Sequence, residues 1–170
     1  MAIDTSNDLC AAALDLASRG LRVHPTHGVV DGACTCPKGA DCSSAGKHPL
    51  LSDWPQRAST DEAEIQQWWD EWPDANIGVA TGAASGLVVL DVDPDKDGDD
   101  SLEALIDEVG GLPDTPEVLT GGGGRHFYFR HPGGQVPNSA GTLGPGLDVR
   151  GDDGFVIAPP STHISGRDYA

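Results

Sequence analysis

The stretch Leu87-Val-Val-Leu-Asp-Val-Asp-Pro-Asp-Lys-Asp-Gly-Asp-Asp100 places six aspartates directly after an apolar run. A short β-branched run that follows a glycine predicts a buried strand. Side chains two residues apart in a strand project from the same face, so Asp91 and Asp93 would lie side by side. Unpaired carboxylates against a sheet are energetically costly. The pattern therefore favours two acids that share divalent metal ions.

A calcium-binding EF-hand loop is the alternative for these acids. The first half of that loop would be Asp93, Asp95, Asp97 and Gly98. The second half fails, because position 8, normally apolar, is Asp100, and position 12, which requires Glu, is Ala104. A helix should also precede the loop, where the sequence predicts a strand. The acids from Asp95 to Asp100 are instead expected to end this strand and cap a helix over residues 101–109.

Composition limits the fold class and the partners. A chain of 170 residues suits one domain, or two closely packed lobes, and 23 Gly with 13 Pro predict a loop-rich α+β protein. The net charge of −17 argues against attraction of nucleic acid to the whole surface, although a local basic region stays open. The sequence has neither a run of about 20 apolar residues nor the basic start of a signal peptide, so we expect a cytoplasmic protein.

The remaining elements follow from capping signals and periodicity. A capping box that starts at Thr5 predicts an N-terminal helix, and a second one, from Ser59 to Glu62, predicts another. Four apolar residues follow the second box on one helical face, which favours core packing over a base-stacking platform: Ile65, Trp68, Trp69 and Trp72. Strands are predicted over residues 21–25, 76–82, 86–92, 116–120, 125–130, 147–150 and 155–158, so the second half should be mainly a sheet.

Period-two alternation assigns the polar residues of three strands to common faces. Asp91 and Asp93 share one face, His126 shares one with Tyr128 and Arg130, and Asp148 shares one with Arg150. If these strands are neighbours, their acids converge on one surface that repels itself without cations. Two divalent ions would neutralise that surface and could clamp the oxygens of an in-line phosphoryl displacement. Mg²⁺ suits this chemistry because it combines a few carboxylates with substrate phosphates.

The run Thr120-Gly-Gly-Gly-Gly-Arg125 lacks the Gly-Lys-Ser/Thr ending of a Walker A loop. A flexible turn is the simpler interpretation. The functional alternative is a loop whose backbone, free of side chains at Gly123 and Gly124, approaches a triphosphate, with Arg125 and His126 adding charge and hydrogen bonds.

The joint order of seven motifs resembles the bifunctional DNA primase/polymerase domain of plasmid and phage replication proteins, a branch of the archaeo-eukaryotic primase superfamily. The motifs are Gly-Lys-His-Pro-Leu (46–50), Trp-Trp (68–69), Asn-Ile-Gly-Val-Ala-Thr-Gly (76–82), Leu-Val-Val-Leu-Asp-Val-Asp (87–93), Thr-Gly-Gly-Gly-Gly-Arg-His-Phe-Tyr-Phe (120–129), Leu-Asp-Val-Arg-Gly (147–151) and Ala-Pro-Pro-Ser (158–161). The resemblance spans about residues 9–169. It implies an α+β primase-type fold, in which a mixed or antiparallel sheet forms an RRM-like catalytic lobe beside a smaller N-terminal α/β lobe.

The resemblance also assigns roles to residues. The paired-acid motif falls on Asp91 and Asp93 and the third acidic motif on Asp148, which implies that these acids bind the catalytic Mg²⁺ or Mn²⁺ ions. The small-residue-x-His motif falls on His126, which implies a contact with the phosphates of the incoming nucleotide. The family often has Ser two residues before this His, where this chain has Gly124. Lys47 and Arg150 complete the expected nucleotide-binding residues.

A second candidate metal site lies in residues 34–48. Cys34, Cys36, Cys42 and His48 fall within fifteen residues, a ligand set that suits a tetrahedral Zn²⁺ site, although the Cys-x-Cys opening is tighter than the usual gap of two to four residues. His27 is an alternative fourth ligand. A disulfide is disfavoured in a reducing cytosol, and free thiols are the remaining alternative. A zinc ion with four protein ligands would be structural, and its loop would present Lys47.

These observations predict a DNA-dependent primase/polymerase that transfers nucleotides to a primer 3′-hydroxyl on a single-stranded DNA template. A metal-dependent nuclease would use similar acids, and a non-catalytic, zinc-stabilised module that recruits single-stranded DNA or a helicase is the third possibility. We expect residues 1–170 to form the catalytic domain of a longer replication protein. Family resemblance suggests a helicase or ATPase part as its partner.

Overall fold

The computed structural model describes residues 5–170, with side chains from Asp8 onward. The predicted N-terminal helix is present as α1 (Thr5–Ser18), and its capping box falls on side chains outside the described residues. Three further helices follow: α2 (Trp54–Arg57), α3 (Glu62–Glu71) and α4 (Gly98–Val109). Across residues 5–170, no helix is both long and apolar enough to cross a membrane.

Within residues 5–170, ten short strands form three antiparallel sheets, which confirms the α+β class. The strands are β1 (Val23–Thr26), β2 (Val29–Val30), β3 (Ala33–Cys34), β4 (Asn76–Ala80), β5 (Leu87–Val92), β6 (Glu117–Leu119), β7 (Arg125–Arg130), β8 (Ser139–Ala140), β9 (Leu147–Arg150) and β10 (Phe155–Ala158). Their orders are β1-β4-β10, β2-β3 and β6-β7-β5-β9-β8.

The predicted Trp-rich face of α3 is buried, which confirms core packing. Ile65, Trp68 and Trp69 pack with α1 against the three-stranded sheet. The helix start differs from the prediction, since the N-cap is Asp61 and not Ser59. Asp61 accepts a hydrogen bond from the Glu64 backbone N–H at 2.9 Å. A carboxylate at this cap also interacts favourably with the positive end of the helix dipole.

The five-stranded sheet has two chemically different faces, as the period-two pattern predicts. One face packs against α4 through Leu90, Val92, Leu102, Phe127 and Leu147. The other face begins apolar, because Leu87 and Val89 join the core of the three-stranded sheet. Further along β5 the same face carries Asp91, which is only partly buried. The polar end of this face is therefore where a site can form.

The acidic stretch after β5 is more helical than predicted. A 3₁₀ turn covers Pro94–Lys96, and α4 begins at Gly98 instead of residue 101. A side chain at Gly98 would lie 2.5 Å from the Asp93 backbone oxygen, so glycine permits this tight connection. An EF-hand loop is excluded, because a strand precedes the acids and a helix begins in the middle of the would-be loop.

Candidate functional site

A pocket of about 740 Å³ opens beside the polar end of β5. Its walls come from β5, β7, β9 and β10, from the glycine run, and from the segment after β10. Its charged and aromatic lining includes Lys47, Trp54, Asp91, Asp93, Lys96, His126, Asp148, Arg150, Phe155, His163, Arg167 and Tyr169. The pocket therefore combines acids and cations from distant parts of the chain.

The central acids meet on three paired strands. Asp91 of β5 lies directly opposite His126 of β7 and Asp148 of β9. Arg150 Nη2 donates to Asp91 Oδ2 and to Asp148 Oδ2, both at 3.1 Å. Its side chain stands on the same face as Asp148, two residues along β9. Arg150 therefore holds the two carboxylates side by side and offsets one of their two negative charges.

Asp93 lies one residue beyond the end of β5. Its Oδ1 accepts a hydrogen bond from the Asp95 backbone N–H at 3.1 Å, and its Oδ2 lies 3.0 Å from Lys96 Nζ. The hydrogen bond to Asp93 raises the pKa of Lys96, and the charges of Asp93, Asp148 and Asp91 raise it further. Lys96 thus interacts electrostatically with Asp91, Asp93 and Asp148. Their carboxylate oxygens are the donors that Mg²⁺ or Mn²⁺ prefers, so the residues fit a hard divalent cation.

His126 is buried at the back of the pocket. Its Nε2 lies 3.5 Å from Asp91 Oδ1, and its Nδ1 has no hydrogen-bond partner among the described residues. Burial lowers the pKa of His126, with contributions from Arg150 and Lys47, while Asp91 opposes the shift. The imidazole is therefore neutral at neutral pH and can donate a hydrogen bond without carrying charge.

The glycine run turns tightly against the end of β5. A side chain at Gly124 would lie 2.5 Å from the Val92 backbone oxygen, and Thr120 Oγ1 accepts a hydrogen bond from the Gly124 N–H at 2.9 Å. The family's serine therefore does not fit at this position without a backbone shift. Gly122, Gly124 and Thr120 line the pocket, so a hydroxyl is still present there. Gly123, with φ +94°, supplies the left-handed turn and does not line the pocket.

Arg125 does not reach the pocket, contrary to the sequence expectation. It precedes His126 in β7 and so projects from the opposite face. There its Nη2 lies 2.7 Å from Asp99 Oδ1 of α4, and its guanidinium stacks on Phe127 at 5.4 Å from the ring centroid. The glycine run ends where the strand begins, and alternation from that point places His126 inside and Arg125 outside.

Two further side chains in the pocket, the cationic Arg167 and the neutral His163, were not predicted from the sequence. His163 and Arg167 lie on a short hairpin, in which Thr162 pairs with Asp168. Three hydrogen bonds hold the hairpin and the chain end against the glycine run and β6. Ser165 Oγ donates to the Gly121 carbonyl at 2.8 Å, and Leu119 exchanges two backbone hydrogen bonds with Ala170. The available signal was the presence of two basic side chains within five residues of a very acidic chain.

The four predicted zinc ligands come together near β3. One ligand atom from each of Cys34, Cys36, Cys42 and His48 lies within 4.8 Å of all the others. His48 Nε2 lies 3.4 Å from Cys34 Sγ and 3.5 Å from Cys42 Sγ. Ligands of one tetrahedral Zn²⁺ are separated by roughly 3.5 to 4 Å, so the cluster fits zinc. His27 is not part of it, because its Nδ1 lies 3.1 Å from Thr35 Oγ1.

The thiol environment also suits a metal. Burial acts to raise the pKa of Cys36, but hydrogen bonds with the Lys38 backbone, Cys34, Cys42 and His48 lower it to about 6. Cys36 therefore provides a thiolate for zinc near neutral pH. A hydrogen bond with the Ser44 backbone acts to lower the pKa of Cys42, but burial and the neighbouring thiols outweigh it and raise that pKa, so a bound metal would have to displace its proton. All three cysteines are free thiols in the structure, so no disulfide competes for them.

The Cys/His cluster (Cys34, Cys36, Cys42 and His48) is connected to the pocket through buried Asn76 of β4. Asn76 Nδ2 donates to the carbonyl oxygens of Gly46, at 3.0 Å, and Thr162, at 2.9 Å. Its Oδ1 accepts from the Thr162 N–H at 3.0 Å. One side chain therefore joins the loop that carries Lys47 to the hairpin that carries His163.

The chain matches the family model of the bifunctional DNA primase/polymerase N-terminal domain over residues 13–170. This match confirms the family resemblance of the sequence motifs. No curated protein matches the chain.

Proposed function

Because the chain belongs to the bifunctional DNA primase/polymerase family, we propose that it is a nucleotidyltransferase that extends a primer 3′-hydroxyl on a single-stranded DNA template. The family supports a primase/polymerase role in DNA replication. The observation that carries the chemistry is the alignment of Asp91 with His126 and Asp148 on three adjacent strands. That alignment concentrates carboxylates at one end of a pocket with room for a nucleotide.

Asp91, Asp93 and Asp148 would hold the catalytic ions, Mg²⁺ or Mn²⁺. When bound, such ions would polarise the α-phosphate and favour the alkoxide form of the attacking hydroxyl. Arg150 positions two of these acids through its shared Nη2. His126, neutral and close to Asp91, is suited to donate a hydrogen bond to a phosphate oxygen. The protein then contributes mainly orientation and charge stabilisation to the displacement of pyrophosphate.

Zn²⁺ would have a structural role in this proposal. Three cysteines and His48 offer four ligands, which leaves no open position for a substrate. The ion would fix the loop in which Lys47 precedes His48, and Lys47 lines the pocket. Family resemblance alone supports three further proposals: an RRM-like catalytic lobe beside a smaller lobe within residues 1–170, a plasmid or phage context, and a helicase or ATPase partner.

Primer extension tests the proposal directly. A labelled primer on a single-stranded template is incubated with ribo- or deoxynucleotides and Mg²⁺, Mn²⁺ or EDTA. We expect template-directed extension that is lost with EDTA and in Asp91→Ala and Asp148→Ala. Asp107→Ala, which removes an exposed acid of α4 outside the pocket, should extend the primer normally.

The same assay separates the rival functions. Metal-dependent shortening of the primer without nucleotides would indicate a nuclease. Binding of single-stranded DNA with an intact, unextended primer would indicate the recruiting module. Undiminished extension by Asp91→Ala would reject the proposed catalytic acids even if the wild-type chain is a polymerase.

A further inference from the structure

The pocket contains cations that no acid neutralises. The chain has ten Lys and Arg against 27 Asp and Glu, yet four of the ten line this pocket. Lys96 and Arg150 are bound to the catalytic acids. Lys47 and Arg167 form no salt bridge with any carboxylate in residues 8–170. Unpaired cations in a pocket of such an acidic chain indicate an anionic ligand.

The hairpin places these groups over the glycine run. A side chain at Gly121 would collide with His163 and would lie 2.7 Å from the Arg167 carbonyl oxygen. A side chain at Gly122 would lie 3.5 Å from His163 Nε2. The small residues therefore let the hairpin pack closely against the glycine run, with His163 lining the pocket. Ser165 also fixes the hairpin there through its hydrogen bond to Gly121.

One side chain, Tyr169, lies between His163 of the hairpin and His126. The ring centroid of Tyr169 lies 6.3 Å from that of His126 and 6.2 Å from that of His163. Burial lowers the pKa of both histidines, and the charge of Lys47 adds to the shift of each, so Lys47 lies near both ends of this row. The pocket is thus polarised, with the carboxylates at the His126 end and the free cations at the His163 end.

We propose that Lys47, His163 and Arg167 form the subsite for the β- and γ-phosphates of the incoming nucleoside triphosphate. The inference rests on the proposed function, because the carboxylate end must hold the reacting α-phosphate. Lys47 and Arg167, as cations, and His163, as a neutral hydrogen-bonding group, then bind the part of the substrate that leaves as pyrophosphate. Arg167 can donate two parallel hydrogen bonds to phosphate oxygens, a geometry that a lysine cannot reproduce. Arg125 has no part in this subsite.

Measurements of nucleotide binding test the phosphate subsite independently of the polymerase activity on which the inference rests. The dissociation constants of dATP and dAMP are measured with Mg²⁺ for the wild-type chain, Arg167→Ala, Arg167→Lys and Lys47→Ala. Arg130→Ala is the matched control, since Arg130 is exposed on β7 and does not line the pocket. Thermal unfolding of each variant verifies that it folds, and Lys47→Ala, on an exposed side chain, provides the test if Arg167→Ala does not fold.

Arg167→Ala and Lys47→Ala should each weaken dATP binding by about tenfold or more, since each removes charged hydrogen bonds to phosphate. Their affinity for dAMP should stay within about twofold of wild type, Arg167→Lys should recover part of the loss, and Arg130→Ala should match wild type.

Unchanged dATP binding, or equal losses for dATP and dAMP, would overturn the subsite. Weaker binding of a single-stranded oligonucleotide with unchanged dATP binding would assign the cations to the DNA backbone instead. A wild-type chain without preference for dATP over dAMP would contradict the proposed function itself.

Discussion

Replacing Asn76 by Ala tests whether the loop that carries Lys47 and the hairpin that carries His163 act as one unit. The Asn76 side chain is almost fully buried, at 2% exposure, and makes three hydrogen bonds to the backbone of Gly46 and Thr162. Gly46 directly precedes Lys47, and Thr162 directly precedes His163. No other side chain in residues 8–170 hydrogen-bonds to both segments.

The expected loss of stability follows from these bonds. Each buried hydrogen bond contributes about 1 kcal/mol net, and a buried backbone group left without a partner costs about 1 to 3 kcal/mol. Asn76→Ala should therefore lower the free energy of unfolding by about 3 to 5 kcal/mol, a large part of the stability of a typical domain. The variant should also bind dATP more weakly, because Lys47 and His163 lose their common anchor.

Urea unfolding followed by tryptophan fluorescence measures the loss, and the dATP titration measures the coupling. Asn138→Ala is the matched control for the unfolding measurement only, because Asn138 itself lines the pocket. Asn138 also makes two hydrogen bonds to the backbone, with Gly151 and Asp152, but it is exposed. Water can replace its partners, so we expect a loss of only about 1 kcal/mol. A loss for Asn76→Ala no larger than that of Asn138→Ala would refute the reasoning.

Three further predictions concern pH, the glycine run and zinc. Burial lowers the pKa of His24 from 6.5 to about 4, so between these pH values only the unfolded chain binds the proton. The free energy of unfolding should therefore fall by about 3 kcal/mol as the pH drops from 6.5 to 4. Urea unfolding of His24→Phe should show a flatter pH dependence than that of the wild type, and an unchanged dependence would contradict the assignment. Gly124→Ser should lower the free energy of unfolding by about 1 to 3 kcal/mol, and with it the melting temperature, whereas Gly122→Ser, which has room for a side chain, should not. Equal melting temperatures would contradict the close approach of Gly124 to the Val92 backbone oxygen. His48→Ala should lose tightly bound zinc in a metal assay while His27→Ala retains about one ion per chain, and the reverse result would exchange the two ligands.

Local chemistry made several elements of this fold predictable from the sequence. The apolar run before Asp91 predicts β5, and alternation correctly separates Leu90 and Val92, against α4, from Asp91 in the pocket. Side-chain direction in a strand depends only on the pleat, so it follows from sequence once the strand is located. The Cys/His cluster was predictable for a similar reason, because its members lie within fifteen residues.

Features that depend on distant contacts were not predictable in this way. The strand β10 follows β9 along the chain but pairs with β4, so the second half of the protein divides between two sheets. The helix α3 has a plausible cap at Ser59 and uses Asp61, because Ser59 instead pairs through its backbone with Val23. Tertiary contacts select among local signals of similar strength in both cases.

The position of the cations shows why composition alone misjudges this protein. A net charge of −17 predicts repulsion of anions over the surface, and ordinary salt screens that repulsion beyond about 8 Å. Within the pocket the charge balance is local, because Arg150 and Lys96 form salt bridges with Asp91, Asp93 and Asp148, and Lys47 and Arg167 remain available. An anionic ligand is therefore attracted by Lys47 and Arg167 only after it has entered the pocket. This arrangement favours a compact substrate such as a metal-bound triphosphate over a long polyanion, whose remaining charges would stay against the acidic surface.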